Sequence, residues 1–168
     1  MSALGLFTAL KGGATVKNLV NILTDRKKLS DDAGKKAELI MSSKDKTGNL
    51  IYPNADKDLL QHYFLSDYMT DKIGAPLSFA VGVGKEIFDS QRVPYFNPKQ
   101  GYVKGSTGFS VDDLGADYAG ATNMTLDEAY KKGLFTHTET VPKNNDWSQP
   151  SDYGYGEGNY KEVINKIK

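Results

Sequence analysis

The chain has 168 residues, enough for one domain of ordinary size with flanking segments, and Lys plus Arg balance Asp plus Glu at 21 each. That neutrality argues against a general nucleic-acid binder, which carries a basic excess. The absence of cysteine removes disulfides, thiolate metal sites and a cysteine nucleophile.

Hydrophobic residues make up 39% of the chain, so part of it should lie outside any core. No stretch reaches the roughly 18 apolar residues of a membrane span. No basic region precedes the apolar residues of the N-terminus, as a secretory signal would require. Met1 to Leu23 reads as two short amphipathic pieces, about 3–10 and 14–24, with Leu4, Leu6, Phe7 and Leu10 on the first and Lys11, Gly12 and Gly13 between them. They suit docking on protein or on a membrane surface. Asp25 to Asp32 is charged and reads as a linker. Ala33 to Met41 predicts a short helix, and Ser42 to Asn54 is rich in turn formers.

The first strong helix is expected from Asp56 to Ile73, capped by Asn54 or Asp56 and ended by Gly74. Pro76 fits the first turn of a second helix, to Ser90. The short join predicts antiparallel neighbours. Gln91 to Gly108 has three glycines, two prolines and no apolar period, and reads as a long loop. Ser110 and Asp113 have capping-box spacing at the start of a third helix, to Ala121. Thr125 and Glu128 repeat it before a short helix that ends at Gly133. Thr136 to Gly158 is polar and rich in Gly, Tyr and Asn, with too little apolar surface for a core. Asn159 and Glu162 introduce a last amphipathic helix with Tyr160, Val163, Ile164 and Ile167 on its apolar side. The expected fold is mainly α: an antiparallel helical hairpin plus a third helix, with extended or irregular ends. The divisions are 1–54, 55–135 and 136–168.

The polar residues of the middle segment carry whatever chemistry the chain has. His62 shares a helix face with Leu65, Met69 and Ile73, and so points inward. On the second helix Ser78, Gly82, Glu86 and Asp89 share a face. His62 and Glu86 each lie about twelve residues from Gly74, which sets them at similar height across the hairpin. Asp113 and Asp117 are one turn apart on the third helix, where Gly115, Ala116, Ala119 and Gly120 allow close packing. Asp117 is the better third member, and Asp113 reads as a helix cap. His62, Glu86, Asp89 and Asp117 are thus candidate ligands for a divalent metal, or candidate acid and base groups. A polar network that only satisfies its own members is the alternative. His137 reads as exposed and idle. Gly82-Val83-Gly84-Lys85 lacks the spacing of a phosphate loop and follows no strand.

Three blocks give a resemblance: Asp56-Lys57 with Gln61-His62 and Ser66; Gly84-Lys85-Glu86 with Asp89-Ser90; and Gly108-Phe109-Ser110 with Asp113-Leu114, Ala116-Asp117 and Gly120-Ala121. Over about residues 56–121 this resembles the YfiM-like family of small bacterial envelope lipoproteins, and more distantly VanZ-like helical proteins. The resemblance implies a shared helical module and site positions at His62, Lys85, Glu86, Asp89, Asp113 and Asp117. It differs from the family in having no lipobox cysteine, an added loop after Asp89 and a long polar tail.

The sequence therefore supports three expectations. The first is a non-enzymatic component of a larger assembly, a bacteriophage virion or an envelope-associated structure, contacting other subunits through its N-terminal helices and tail. The second is a metal-dependent hydrolase acting on cell-wall or lipid material. The third is a peripheral membrane protein.

Overall fold

A computed structural model of the chain describes residues 13–90, 95–97, 101–103, 110–138 and 160–168, with side chains for 16–85, 87, 110–138 and 161–168. Within them it is mainly helical, as expected. In chain order the elements are α1 (Gly13–Thr24), α2 (Arg26–Met41), α3 (Lys57–Ile73), α4 (Ala75–Ser90), β1 (Tyr95–Asn97), β2 (Gly101–Val103), α5 (Val111–Ala121), α6 (Leu126–Lys131) and α7 (Tyr160–Ile167).

Local chemistry sets most of the boundaries. The Asp56 carboxylate accepts from the amides of Asp58 and Leu59, two donors that the first turn of α3 leaves without helical partners. Gly74, at φ 83°, ends that helix in a backbone region that favours glycine. The Asp113 amide donates to Ser110 Oγ at the start of α5. Thr125 and Glu128 form the reciprocal capping box at α6.

Two expectations change. The charged stretch from Asp25 is no linker, because α2 begins at Arg26. Its charges sit on the outer face, where Lys28 and Lys35 each lie 3.7 Å from Asp32. Leu29, Ala33 and Ala37 recur every fourth residue, and the two alanines are buried. The Gln61 side chain ties α3 to this helix by donating to the Ser30 carbonyl and hydroxyl. The expected loop after Gln91 contains a short antiparallel ribbon, with Tyr95 opposite Val103 and Asn97 opposite Gly101.

Helix α3 is the centre of the molecule. Its residues Leu59, Leu60 and Tyr63 pack with Ala116 and Ala119 of α5, Ala129 of α6, and Leu134 and Phe135. Phe135 is wholly buried and meets the Tyr63 ring edge-on, with centroids 5.3 Å apart. Burial of such a side chain contributes roughly 2 kcal/mol. A smaller cluster, Ile22, Met69, Ile73 and Leu77, joins α1 to the turn between α3 and α4. The Asn18 side chain adds a bond to the Lys72 carbonyl, 2.9 Å away.

The α3–α5 crossing needs a glycine. A Cβ at Gly120 would press on the Tyr63 carbonyl and lie 2.8 Å from the Asp67 amide nitrogen, so the two backbones touch there. On the far side of α5, Val163 of α7 covers Gly115, while Ile164 faces outward rather than joining the apolar side. The Asp56 amide donates to the Phe135 carbonyl at 2.8 Å, which brings the start of α3 against the chain after α6. No helix of the described residues is long and apolar enough to cross a membrane.

Candidate functional site

His62 is buried, as its helix face predicts, at 7% exposure. A buried imidazole needs partners at both nitrogens, and α5 supplies them. Nδ1 lies 3.1 Å from Asp117 Oδ1, and Nε2 lies 3.4 Å from Asp113 Oδ2. An ionised carboxylate only accepts, so Nδ1 carries a proton and donates to Asp117. Burial works to lower the pKa of His62. The Asp117 bond and the negative charges of Asp117 and Asp113 overcome that, against a smaller opposing effect of Lys85, and push it up to about 9.

Asp113 therefore does two things. Its amide closes the cap at Ser110, and its carboxylate turns to the imidazole. The expectation that it is only a cap is corrected. Capping uses the backbone of this position and leaves the side chain available. Asp58, one turn before His62 on α3, completes the group. One ligand atom each from Asp58, His62 and Asp113 all lie within 4.8 Å of one another. Asp58 is exposed while His62 and Asp113 are buried, so the group opens to solvent on one side.

Neighbouring residues fix this geometry. Ser66 Oγ donates to the Asp117 carbonyl at 2.8 Å, and Ser78 Oγ donates to the Ser66 carbonyl at 2.8 Å. One serine pair thus joins α3, α4 and α5. A Cβ at Gly82 would lie 2.9 Å from Asp117 Cγ, so glycine lets α4 come down onto this carboxylate. Glu86 and Asp89 lie on α4, but their side chains are outside the described residues, and so is the expected pairing of His62 with Glu86.

His137 is not idle. Its Nε2 lies 3.7 Å from Asp56 Oδ2 and its Nδ1 3.5 Å from Asp112 Oδ2. Thr138 donates to both oxygens of the buried Asp112, through its amide at 3.1 Å and its hydroxyl at 2.9 Å. Both histidines of the chain thus stand against pairs of aspartates. The available signal was the Asp112-Asp113 doublet, since adjacent helix residues face about 100° apart and serve different neighbours.

Beside His62 opens a cavity of about 620 Å³ between α1, α3 and α4. Leu19, Ile22, Leu65, Met69 and Val81 form much of its wall, and Asp58, His62, Lys85 and Asp117 also line it.

No protein-family model matches the chain, and neither a curated protein nor a solved structure matches it. The chemistry of the site therefore carries the functional reading.

Proposed function

We propose that the chain is a divalent-metal-dependent hydrolase whose ion is held by Asp58, His62 and Asp113, with Asp117 orienting the imidazole. The observation that carries this is the 3.4 Å between His62 Nε2 and Asp113 Oδ2. That separation is an ion-pair distance when His62 is protonated. It fits the about 3.4 Å expected between two ligands that are each about 2.1 Å from a tetrahedral ion.

The other residues support the same reading. A carboxylate bonded to the far imidazole nitrogen fixes ring orientation and raises the basicity of a histidine ligand. One histidine and two carboxylates suit zinc, manganese or iron. Such an ion supplies Lewis-acid polarisation and lowers the pKa of water. The exposed side at Asp58 leaves room for a substrate, which we take to be cell-wall or lipid material. The YfiM-like resemblance over residues 56–121, and a place in a bacterial envelope or a virion, belong to this proposal.

The test is equilibrium dialysis with zinc or manganese followed by elemental analysis. The expected result is one ion per chain, an affinity at least about tenfold weaker in Asp58→Asn, and unchanged binding in Glu38→Gln. Ion-dependent ester hydrolysis should disappear in Asp113→Asn. Protein that takes up no ion, or takes it up equally well in Asp58→Asn, overturns the reading.

One observation favours a second reading, a non-enzymatic component of a larger assembly. Helix α1 turns Ile22 into the protein, yet Val16 and Val20 on its outer side are 45% and 55% exposed. A helix apolar on both sides is normally covered on both. Other protein subunits are the partners this suggests, with a membrane surface as the rival. Val20→Asp should prevent co-assembly in cross-linking without lowering thermal stability. Flotation of the wild-type chain with liposomes, lost in the variant, would assign the face to lipid instead.

A further inference from the structure

We infer that the cavity beside His62 binds a single-chain aliphatic molecule whose head donates a hydrogen bond, an alcohol or a primary amine. This goes beyond the metal-dependent reading and does not rest on it.

Packed interiors hold few voids larger than a water molecule. A cavity of about 620 Å³ is therefore no packing fault, and it lies within the roughly 300–1,000 Å³ of small-molecule sites. The wall selects the chemistry. Leu19 and Ile22 come from α1, Leu29 from α2, Leu65 and Met69 from α3, and Val81 from α4. The described lining holds no Phe, Tyr or Trp. Flat ligands such as nucleobases are usually held by aromatic faces. A flexible alkyl chain needs none, because it gains by burying area against Leu, Ile and Met in whatever orientation fits. Leu65 and Met69 follow His62 by one and two turns of α3, so the aliphatic wall continues for about 10 Å from the polar end. A chain of medium length covers that distance.

Hydrogen bonding sets the head. Asp117 Oδ2 is buried and has no partner among the described residues. A Cβ at Gly82 would sit against that oxygen, and Gly82 and Asp117 both line the cavity. With only a glycine over it, the oxygen borders the polar end. Asp58 lines the cavity as well, and is exposed. Ionised carboxylates accept and cannot donate. A head that only accepts, such as a carboxylate or a ketone, would meet acceptors there. A hydroxyl or an ammonium group brings the missing donor. The cations of the lining do not reverse this. Lys85 already has a partner, and Arg26 is exposed, where salt and water screen its charge.

The experiment is titration calorimetry of the full chain in chelator, with decanol and decylammonium in separate arms, each below the concentration at which it aggregates. Decanoate, which only accepts, and decyltrimethylammonium, which has no N–H, are the controls. One decanol or decylammonium per chain is expected, with both controls at least about tenfold weaker. Leu19→Asn puts an amide into the aliphatic wall, and Gly82→Ala covers the Asp117 oxygen with a methyl group. Each should weaken binding at least about tenfold. Val81→Phe fills the cavity from α4 and should do the same, which keeps the test open should Gly82→Ala not fold. Val20→Asn, on the outer side of α1, should leave binding unchanged.

Binding that Leu19→Asn and Val81→Phe both leave unaltered overturns the inference. So does decanoate or decyltrimethylammonium binding as tightly as decanol and decylammonium. A self-associated chain that neither ligand dissociates would show a second copy in the cavity, which also overturns it. Between the two heads, the tighter ligand names the class. Manganese uptake, measured in parallel, separates the two proposals. Decanol or decylammonium bound in chelator stands whether or not the ion is taken up. An ion taken up by a chain that binds neither removes the aliphatic ligand and leaves the metal centre.

Discussion

His62 Nδ1 and Asp117 Oδ1 stand 3.1 Å apart on two helices, separated by 55 residues of chain. Oδ2 of the same aspartate is buried and has no hydrogen-bond partner among the described residues. Asp117 thus directs one oxygen at the imidazole while the other lies under Gly82. Replacing it with asparagine keeps the shape and removes the charge. Asp117→Asn should lower stability to urea by about 2 kcal/mol, as expected for a hydrogen bond between charged groups. It should also bring the His62 pKa down from about 9, measured by NMR titration of the imidazole protons. An unaltered His62 titration in this variant would show that Asp117 does not hold the proton.

Stability should depend on pH through the same residue. The folded pKa of His62, about 9, exceeds the ordinary histidine value of 6.5. The folded state therefore holds this proton more tightly than the unfolded chain does. The stabilisation is fully present below pH 6.5 and is lost as pH rises through about 9. Its size is on the order of 3 kcal/mol. Denaturation in chelator should show this decline, and His62→Asn should abolish it. Added zinc displaces the proton and should flatten the same window. A slope that zinc leaves untouched would count against ion binding at His62.

Three helical glycines should respond differently to alanine. Gly120→Ala pushes a methyl group into the α3 backbone, which cannot step aside, and should cost about 3 kcal/mol. Gly82→Ala meets the Asp117 carboxylate. It should cost less and should weaken ion binding as well. Gly84→Ala meets nothing within 4 Å, and should stabilise α4 by up to about 1 kcal/mol. Thermal unfolding of the three proteins gives the order, and a neutral Gly120→Ala would contradict the packing of α5 on α3.

His137 and Asp112 should also separate. His137 is 43% exposed, and its ion pairs are of the weak surface kind, so His137→Ala should cost under about 0.5 kcal/mol. Asp112 is buried and accepts two bonds from Thr138, so Asp112→Ala should cost about 2 kcal/mol by chemical denaturation. Equal costs would mean that the histidine, not Thr138, is the principal partner of Asp112.

What was legible in the sequence was local. Asp56, Gly74, Ser110, Thr125 and Glu128 act within one turn of themselves, and the helices begin and end where these residues say. The inward face of His62 was legible for the same reason, since period 3.6 is a short-range pattern. The partners of His62 were not. They depend on where α5 crosses α3, which Gly120 decides through contact with a backbone about fifty residues away in sequence. Measuring distance from the Gly74 turn relates α3 to α4 and carries no information about α5. The first half of helix α2, before Ala33, was missed because it is unusually charged, and composition hid the spacing of Leu29, Ala33 and Ala37; the half from Ala33 to Met41 was legible. His137 was missed because a lone histidine beside a polar tail has no period at all.

The bond between the Asp56 amide and the Phe135 carbonyl makes neighbours of two points that enclose α3, α4, α5 and α6. A stretch of chain whose entrance and exit coincide can be spliced into a host loop without stretching either flank. Residues 56–135 thus have the form of a transplantable cassette. The aspartates around His62 lie within it and travel together.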